Sequence, residues 1–110
     1  MNGLTIDSTE NRYQQPKSFS SEAVTILLSA IEQRRKLFRK GVSRVQFTPQ
    51  ISSVFATFDA FKYKWSVQGV ARFLLNYETT IRLIIPTSNP LLMQRYEALL
   101  PFARKYANLN

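Results

Sequence analysis

The chain has 110 residues, a length that fits one domain. Its 45% apolar and 20% charged content is enough for a packed core and excludes global disorder. The net charge of +8 is the outlier, and an excess of that size concerns partners and solubility rather than fold. Nucleic acid, an anionic membrane face and an acidic protein are the partners it suits. The chain has no cysteine, which excludes disulfides, thiolate chemistry and Cys-ligated metals. It has no histidine either, so the commonest general base and metal ligand are missing.

Residues 1–18 are polar throughout, with Pro16 near the end of the stretch, and read as a flexible N-terminal arm. The first ten residues have neither the basic nor the apolar region of a signal peptide. No uncharged apolar run approaches the roughly 18 residues of a membrane span. The expected location is the cytoplasm or an equivalent such as a virion interior. Residues 19–110 are expected to form a single helical domain.

The first strong helix is predicted from about Ser21 to Lys40, with Ser20 as its cap and Glu22 at the positive end of its dipole. Val24, Leu27, Leu28, Ile31 and Phe38 fall at helical spacing on one face, and Gly41 follows as a left-handed C-cap would. Arg34 and Arg35 lie at the edges of that apolar stripe, while Lys36, Arg39 and Lys40 point away from it. Val42 to Phe47 reads as a connector or a short strand with Val45 and Phe47 on one side. Thr48-Pro49 signals a second helix start, followed by Ile51, Val54, Phe55, Phe58, Phe61 and Trp65 at helical steps. Ser66 is placed to cap a third helix with the seam Val70, Leu74, Tyr77, Ile81 and Ile84, and Glu78 and Arg82 form an i, i+4 pair on its outer side. Gly69 early in that helix implies a close approach to its backbone. The β-branched run Thr79 to Ile85 keeps a strand open there, and Pro86 ends the element either way. Asn89-Pro90 repeats the cap-plus-proline signal for a last helix with Leu92, Tyr96, Leu99, Ala103 and Tyr106 on one side. Pro101 is expected to kink or split it. The fold class expected is all-α, a compact bundle of four to five helices.

The stretch Arg34 to Arg44, R-R-K-L-F-R-K-G-V-S-R, holds six basic residues: Arg34, Arg35, Lys36, Arg39, Lys40 and Arg44. No acid interrupts it; Glu32 precedes it and Asp59 follows. With Lys62 and Lys64, the span from Arg34 to Lys64 carries eight basic residues against the single acid Asp59, and the rest of the chain is nearly balanced, seven against six. Charge raised only for solubility would be spread over the surface. A helix end attracts cations through its dipole, which accounts for two or three of these residues but not six. The eight are therefore the candidate nucleic-acid-binding set, acting on phosphates without reading sequence.

In Phe61-Lys62-Tyr63-Lys64-Trp65 aromatic and basic side chains alternate, a pattern used to bind single strands by stacking and charge. Phe58 and Phe61 are also at core spacing and are expected in the interior; Tyr63 and Trp65 stay open between the two roles. Arg72, Arg82, Arg95, Arg104 and Lys105 read as surface residues. The seven acids are scattered singly, no serine has a base partner in view, and three glycines form no phosphate loop. No catalytic residue, cofactor or metal is expected, and the chain is not expected to be an enzyme. A helix-turn-helix across Trp65-Ser66 lacks the usual glycine turn and leaves sequence-specific duplex binding a minor alternative.

In size, helical pattern and its R-R-K-L-F-R-K run, the segment Ser20 to Asn110 resembles the small subunit of type I CRISPR effector complexes. The resemblance implies copies aligned along guide and target strands, contacting sugar-phosphate backbone and helping to hold an opened duplex. The function expected is that of a non-catalytic, sequence-independent nucleic-acid-binding subunit. Its partners would be nucleic acid and other subunits of an assembly, further copies of itself included. The alternative is a scaffold or interaction subunit of a phage, plasmid or ribonucleoprotein assembly, meeting an acidic partner through its basic face. Peripheral membrane attachment through the first helix is weaker, because its apolar stripe is needed for the core.

Overall fold

Polar caps decide where the helices begin. In the computed structural model, which describes residues 13–108, the chain forms α1 (Pro16–Lys40), α2 (Pro49–Phe61), α3 (Val67–Asn76), α4 (Glu78–Ile84) and α5 (Pro90–Ala107). The side chains of Thr48, Ser66 and Asn89 accept from the backbone N–H of Ile51, Gly69 and Leu92. Each satisfies one of the donors that a helix start leaves open. Pro49 and Pro90 occupy first-turn positions, where a missing N–H costs nothing. The described residues contain no strand. The fold is an all-α bundle.

α1 begins earlier than the sequence suggests. Pro16 opens it, Gln15 precedes it without a side-chain cap, and Ser20 lies inside the helix. Burial explains the extra turn: Phe19 is fully buried and its ring lies 5.0 Å from that of Tyr106. Tyr13 is buried as well, edge-on to Phe102, and its carbonyl accepts from the Tyr106 hydroxyl. Residues 13–18 thus belong to the folded body rather than to an arm. The rest of the expected arm, residues 1–12, lies outside the described residues. Glu22, now in the second turn, does not serve the helix dipole. It pairs with Arg95 of α5, Oε1 to Nη2 at 2.9 Å.

α3 and α5 pack antiparallel as the centre of the bundle, with α1 across both. The Tyr96 hydroxyl donates to the Leu74 carbonyl, and Gln68 and Arg72 of α3 both donate to the carbonyl of Ala107 at the end of α5. The expected seam along Val70, Leu74, Ile81 and Ile84 is buried, but it belongs to two helices. Tyr77 departs from helical dihedrals (φ −109°, ψ 22°) and redirects the chain from α3 to α4. Thr79 to Ile84 is helical, not a strand: the Glu78–Arg82 pair staples one turn of it, and Arg82 also reaches Glu97 of α5 at 2.7 Å. Pro101 neither splits nor ends α5. Leu99, Leu100 and Ala103 on either side of it are buried, and their packing holds the helix through the lost hydrogen bond.

Val42 to Phe47 is a connector with no strand pairing. It passes from α1 to α2, whose backbone lies closest to α4. α2 is separated from α1 by a layer of aromatic rings, and that layer positions the candidate site.

Candidate nucleic-acid interface

The basic run occupies the last two turns of α1, where each successive residue turns about 100°. Arg34 follows Ala30 by four positions and Ile31 by three, so it points inward with them. It is only 4% exposed. Its Nε donates to the carbonyl of Ile84 and its Nη2 to that of Leu83, both at 3.1 Å, and its Nη1 donates to the Ser43 hydroxyl at 3.0 Å. These carbonyls are the C-terminal acceptors of α4, and a cation there also complements the negative end of that helix. Burial pulls the Arg34 pKa below the usual arginine range, but the guanidinium remains charged at neutral pH. Arg34 is therefore a structural residue, and its place among the predicted phosphate contacts is withdrawn. Its geometry is consumed by α4 and by Ser43, which in turn donates to the Val45 carbonyl and accepts from the Val45 N–H.

Arg35 turns toward α2. Its two terminal nitrogens meet the two carboxylate oxygens of Asp59 at 2.6 and 3.4 Å, and its guanidinium carbon lies 4.7 Å from the centre of the Phe55 ring. The hydrogen bond from Arg35 holds the Asp59 carboxyl below its usual pKa, with added attraction from Arg35 and Lys62. Asp59 is the one acid inside the basic span, and Arg35 neutralises it. Arg35 is half-buried and tied, and so does not act as a free phosphate contact.

Lys36, Arg39 and Lys40 are exposed. α1 ends at Gly41, which adopts φ 69°; the N–H of Gly41 and of Val42 bond back to the carbonyls of Phe38 and Leu37. That pair of hydrogen bonds is the glycine-dependent helix stop expected from the sequence. It delivers exposed Arg44 immediately after the end of the helix. Lys62 and Lys64 lie beyond the end of α2, Lys62 one turn past Asp59 and half-buried, Lys64 exposed. None of Lys36, Arg39, Lys40, Arg44, Lys62 and Lys64 forms a salt bridge with a carboxylate among the described residues. Elsewhere the pattern is reversed. Arg82 and Arg95 are held by Glu78, Glu97 and Glu22, whose hydrogen bonds raise both arginine pKa values, and are not free surface cations.

Three phenylalanines fill the space between α1 and α2. Phe47 meets Phe38 edge-on at 5.3 Å and lies tilted 6.1 Å from Phe55. They floor an open groove of about 620 Å³ walled by Arg35, Arg39 and Asp59. Phe47 is 53% exposed there. This groove was not legible in the helical periodicity, because Phe47 belongs to the connector. The only available signal was its position just before the Thr48-Pro49 helix start, where an apolar residue commonly packs back on the new helix.

Of the alternating aromatics, Phe58 is fully buried as expected, whereas Phe61 is about half exposed and leaves the core. α2 ends at Phe61, so its side chain lies at the rim. Trp65 is wedged between Phe61 and Phe73, and its indole N–H has no hydrogen-bond acceptor among the described residues. Tyr63 is 83% exposed, with the Lys62 ammonium 5.4 Å from its ring centre.

The described residues contain no cluster of three His, Cys, Asp or Glu side chains able to hold a metal. They contain no helix long and apolar enough to cross a membrane. No protein-family model matches the chain, and neither a curated protein nor a solved structure shows significant similarity to it.

Proposed function

We propose that the protein is a non-catalytic nucleic-acid-binding subunit that contacts the sugar-phosphate backbone without reading sequence. The observation that carries this reading is the separation of two kinds of cation. Arg34, Arg35, Arg82 and Arg95 are each committed to carbonyls or carboxylates that hold helices together. Lys36, Arg39, Lys40 and Arg44 are left exposed around one helix end. Exposed cations without acids repel one another, and a polyanion relieves that repulsion while releasing its own counterions. Lys62 and Lys64 extend the set from the far end of α2. Such a protein would work in the cytoplasm among further subunits, copies of itself included. The small subunit of a type I CRISPR effector is one assembly of this kind that its size and helical pattern suit.

The aromatic groove favours one second reading, in which an acidic protein segment with apolar side chains docks there. Competition separates the two. Labelled RNA or DNA of random sequence should bind the wild-type protein and resist displacement by equimolar polyglutamate. The variant with Gln at positions 36, 39, 40 and 44 should lose most of that binding while keeping its helical circular dichroism. Unchanged binding by the variant contradicts the proposal, and displacement by polyglutamate favours the protein-partner reading.

A further inference from the structure

Phosphate binding alone requires no ring beside the cations, yet Phe47, half exposed on the connector between α1 and α2, lies beside Arg39. Phe47 lines the groove and packs against Phe38 and Phe55. One wall is the Arg35–Asp59 pair, which has no net charge; another is Arg39, one turn further along α1 and without a carboxylate partner. The groove therefore offers an aromatic floor, a neutral hydrogen-bonding wall and one cation without a carboxylate partner.

We infer that the nucleic acid is single-stranded and that this groove takes a base, stacked on Phe47, with the neighbouring phosphate at Arg39. The inference rests on the phosphate-binding reading and adds to it which strand form is bound and where its bases go. A duplex keeps its bases stacked within itself and presents phosphates and groove edges, which leaves Phe47 no partner. A single strand has free base faces, and stacking of a base on an aromatic side chain is a common, sequence-tolerant means of holding it. The hydrogen-bonding groups of the groove suit a base. Arg35 occupies one lone-pair site on each Asp59 oxygen, and a carboxylate has about four. The remaining sites accept hydrogen bonds from the exocyclic amino groups of adenine, cytosine or guanine. The cations that hold phosphates, Lys36, Lys40 and Arg44, lie outside the groove. Tyr63, exposed beside Lys62 and Lys64, repeats the ring-with-cation arrangement at the other end of α2.

The test compares a short labelled DNA strand of mixed sequence, the same strand made fully abasic, and the corresponding duplex. Proteins are the wild type, Phe47→Leu, Phe47→Ala and the variant with Gln at 36, 39, 40 and 44. Phe47→Leu keeps apolar packing against Phe38 and Phe55, so a loss seen there is not a loss of folding. The wild type should bind the intact strand about tenfold more tightly than the abasic strand. Both Phe47 variants should abolish that preference and leave duplex and abasic binding, and the salt dependence, unchanged. Equal binding of intact and abasic strands by the wild type, or a preference that survives Phe47→Leu and Phe47→Ala, overturns the inference. In that case the phosphate reading stands, provided that the four-Gln variant still loses affinity for all three probes. If that variant binds all three as the wild type does, both readings fail together.

Discussion

Two adjacent arginines with the same chemistry have opposite fates here, and only their helical angle separates them. Arg34 shares its face with Ala30 and Ile31 and ends among the terminal carbonyls of α4; Arg35 turns to Asp59. Removing Arg34 strands two acceptors, the last carbonyls of α4, and takes one donor from Ser43, which keeps its bonds to Val45. We expect Arg34→Met to lower stability by about 2–4 kcal/mol, whereas Lys36→Met, which touches no described partner, changes it by less than about 0.5 kcal/mol. Urea denaturation of the two variants measures the contrast, and similar midpoints would refute the assignment. The buried phenol of Tyr96 sets a second expectation. Burial, with a smaller contribution from Glu78, raises its pKa well above the usual tyrosine value, and its hydroxyl donates to Leu74. In the unfolded chain a tyrosine ionises near pH 10. Its stabilising contribution is therefore complete below about pH 10 and is lost as pH rises from there toward the folded pKa. Circular dichroism across an alkaline titration should show unfolding that begins above about pH 10. In Tyr96→Phe that alkaline decline should be shallower, even if the variant is less stable at neutral pH.

At the scale of elements, what the sequence displays well is punctuation. Thr48-Pro49, Ser66, Asn89-Pro90 and Gly41 mark helix ends by local chemistry, and each does so in the structure. Gly41→Ala should cost about 1 kcal/mol, because φ is 69° and nothing lies within 4 Å of the added Cβ, which leaves the backbone as the whole penalty. A Tm unchanged by that substitution would show that the helix stop tolerates a side chain. Gly69 answers a different expectation: a Cβ there would meet Ser66 Oγ at 3.0 Å and Trp65 Cε3 at 3.4 Å, so the close approach is made by the cap and the indole. Where tertiary packing decides, the sequence was less informative. Pro16 reads as part of a polar N-terminal arm, yet Phe19 and Tyr13 on either side of it are buried against α5, and Tyr77 reads as continuous with its seam, yet the chain turns there. The same limit applies to the candidate site. The basic run was evident as composition, but which of its members face inward depends on the exact stripe. The stripe runs through Phe19, Ala23, Ile26, Leu27, Ala30 and Arg34, about one residue away from the pattern that Val24 and Leu28 suggest. The aromatic groove depends on a connector residue meeting two helices, which no periodicity records.

For the whole molecule, the described acids nearly all serve the fold. Glu22, Asp59, Glu78 and Glu97 each hold an arginine, while Glu32, exposed one turn before Lys36, has no cationic partner among the described residues. Of the cations left without a carboxylate once those pairings are made, six lie at the end of α1 and past the end of α2, while Lys17, Arg72, Arg104 and Lys105 lie elsewhere. Of the eight candidate phosphate contacts, six remain after Arg34 and Arg35 are set aside: Lys36, Arg39, Lys40, Arg44, Lys62 and Lys64. If each takes one phosphate, the salt dependence of binding is fixed by counterion release. The measurement that tests this most directly is the affinity for a single strand between 50 and 200 mM salt, where log K should fall against log salt with a slope of about −4 to −5. In the variant with Gln at 36, 39, 40 and 44 the slope should shrink to about −1 to −2. A wild-type affinity indifferent to salt over that range, or a slope that the four substitutions leave intact, would contradict the account.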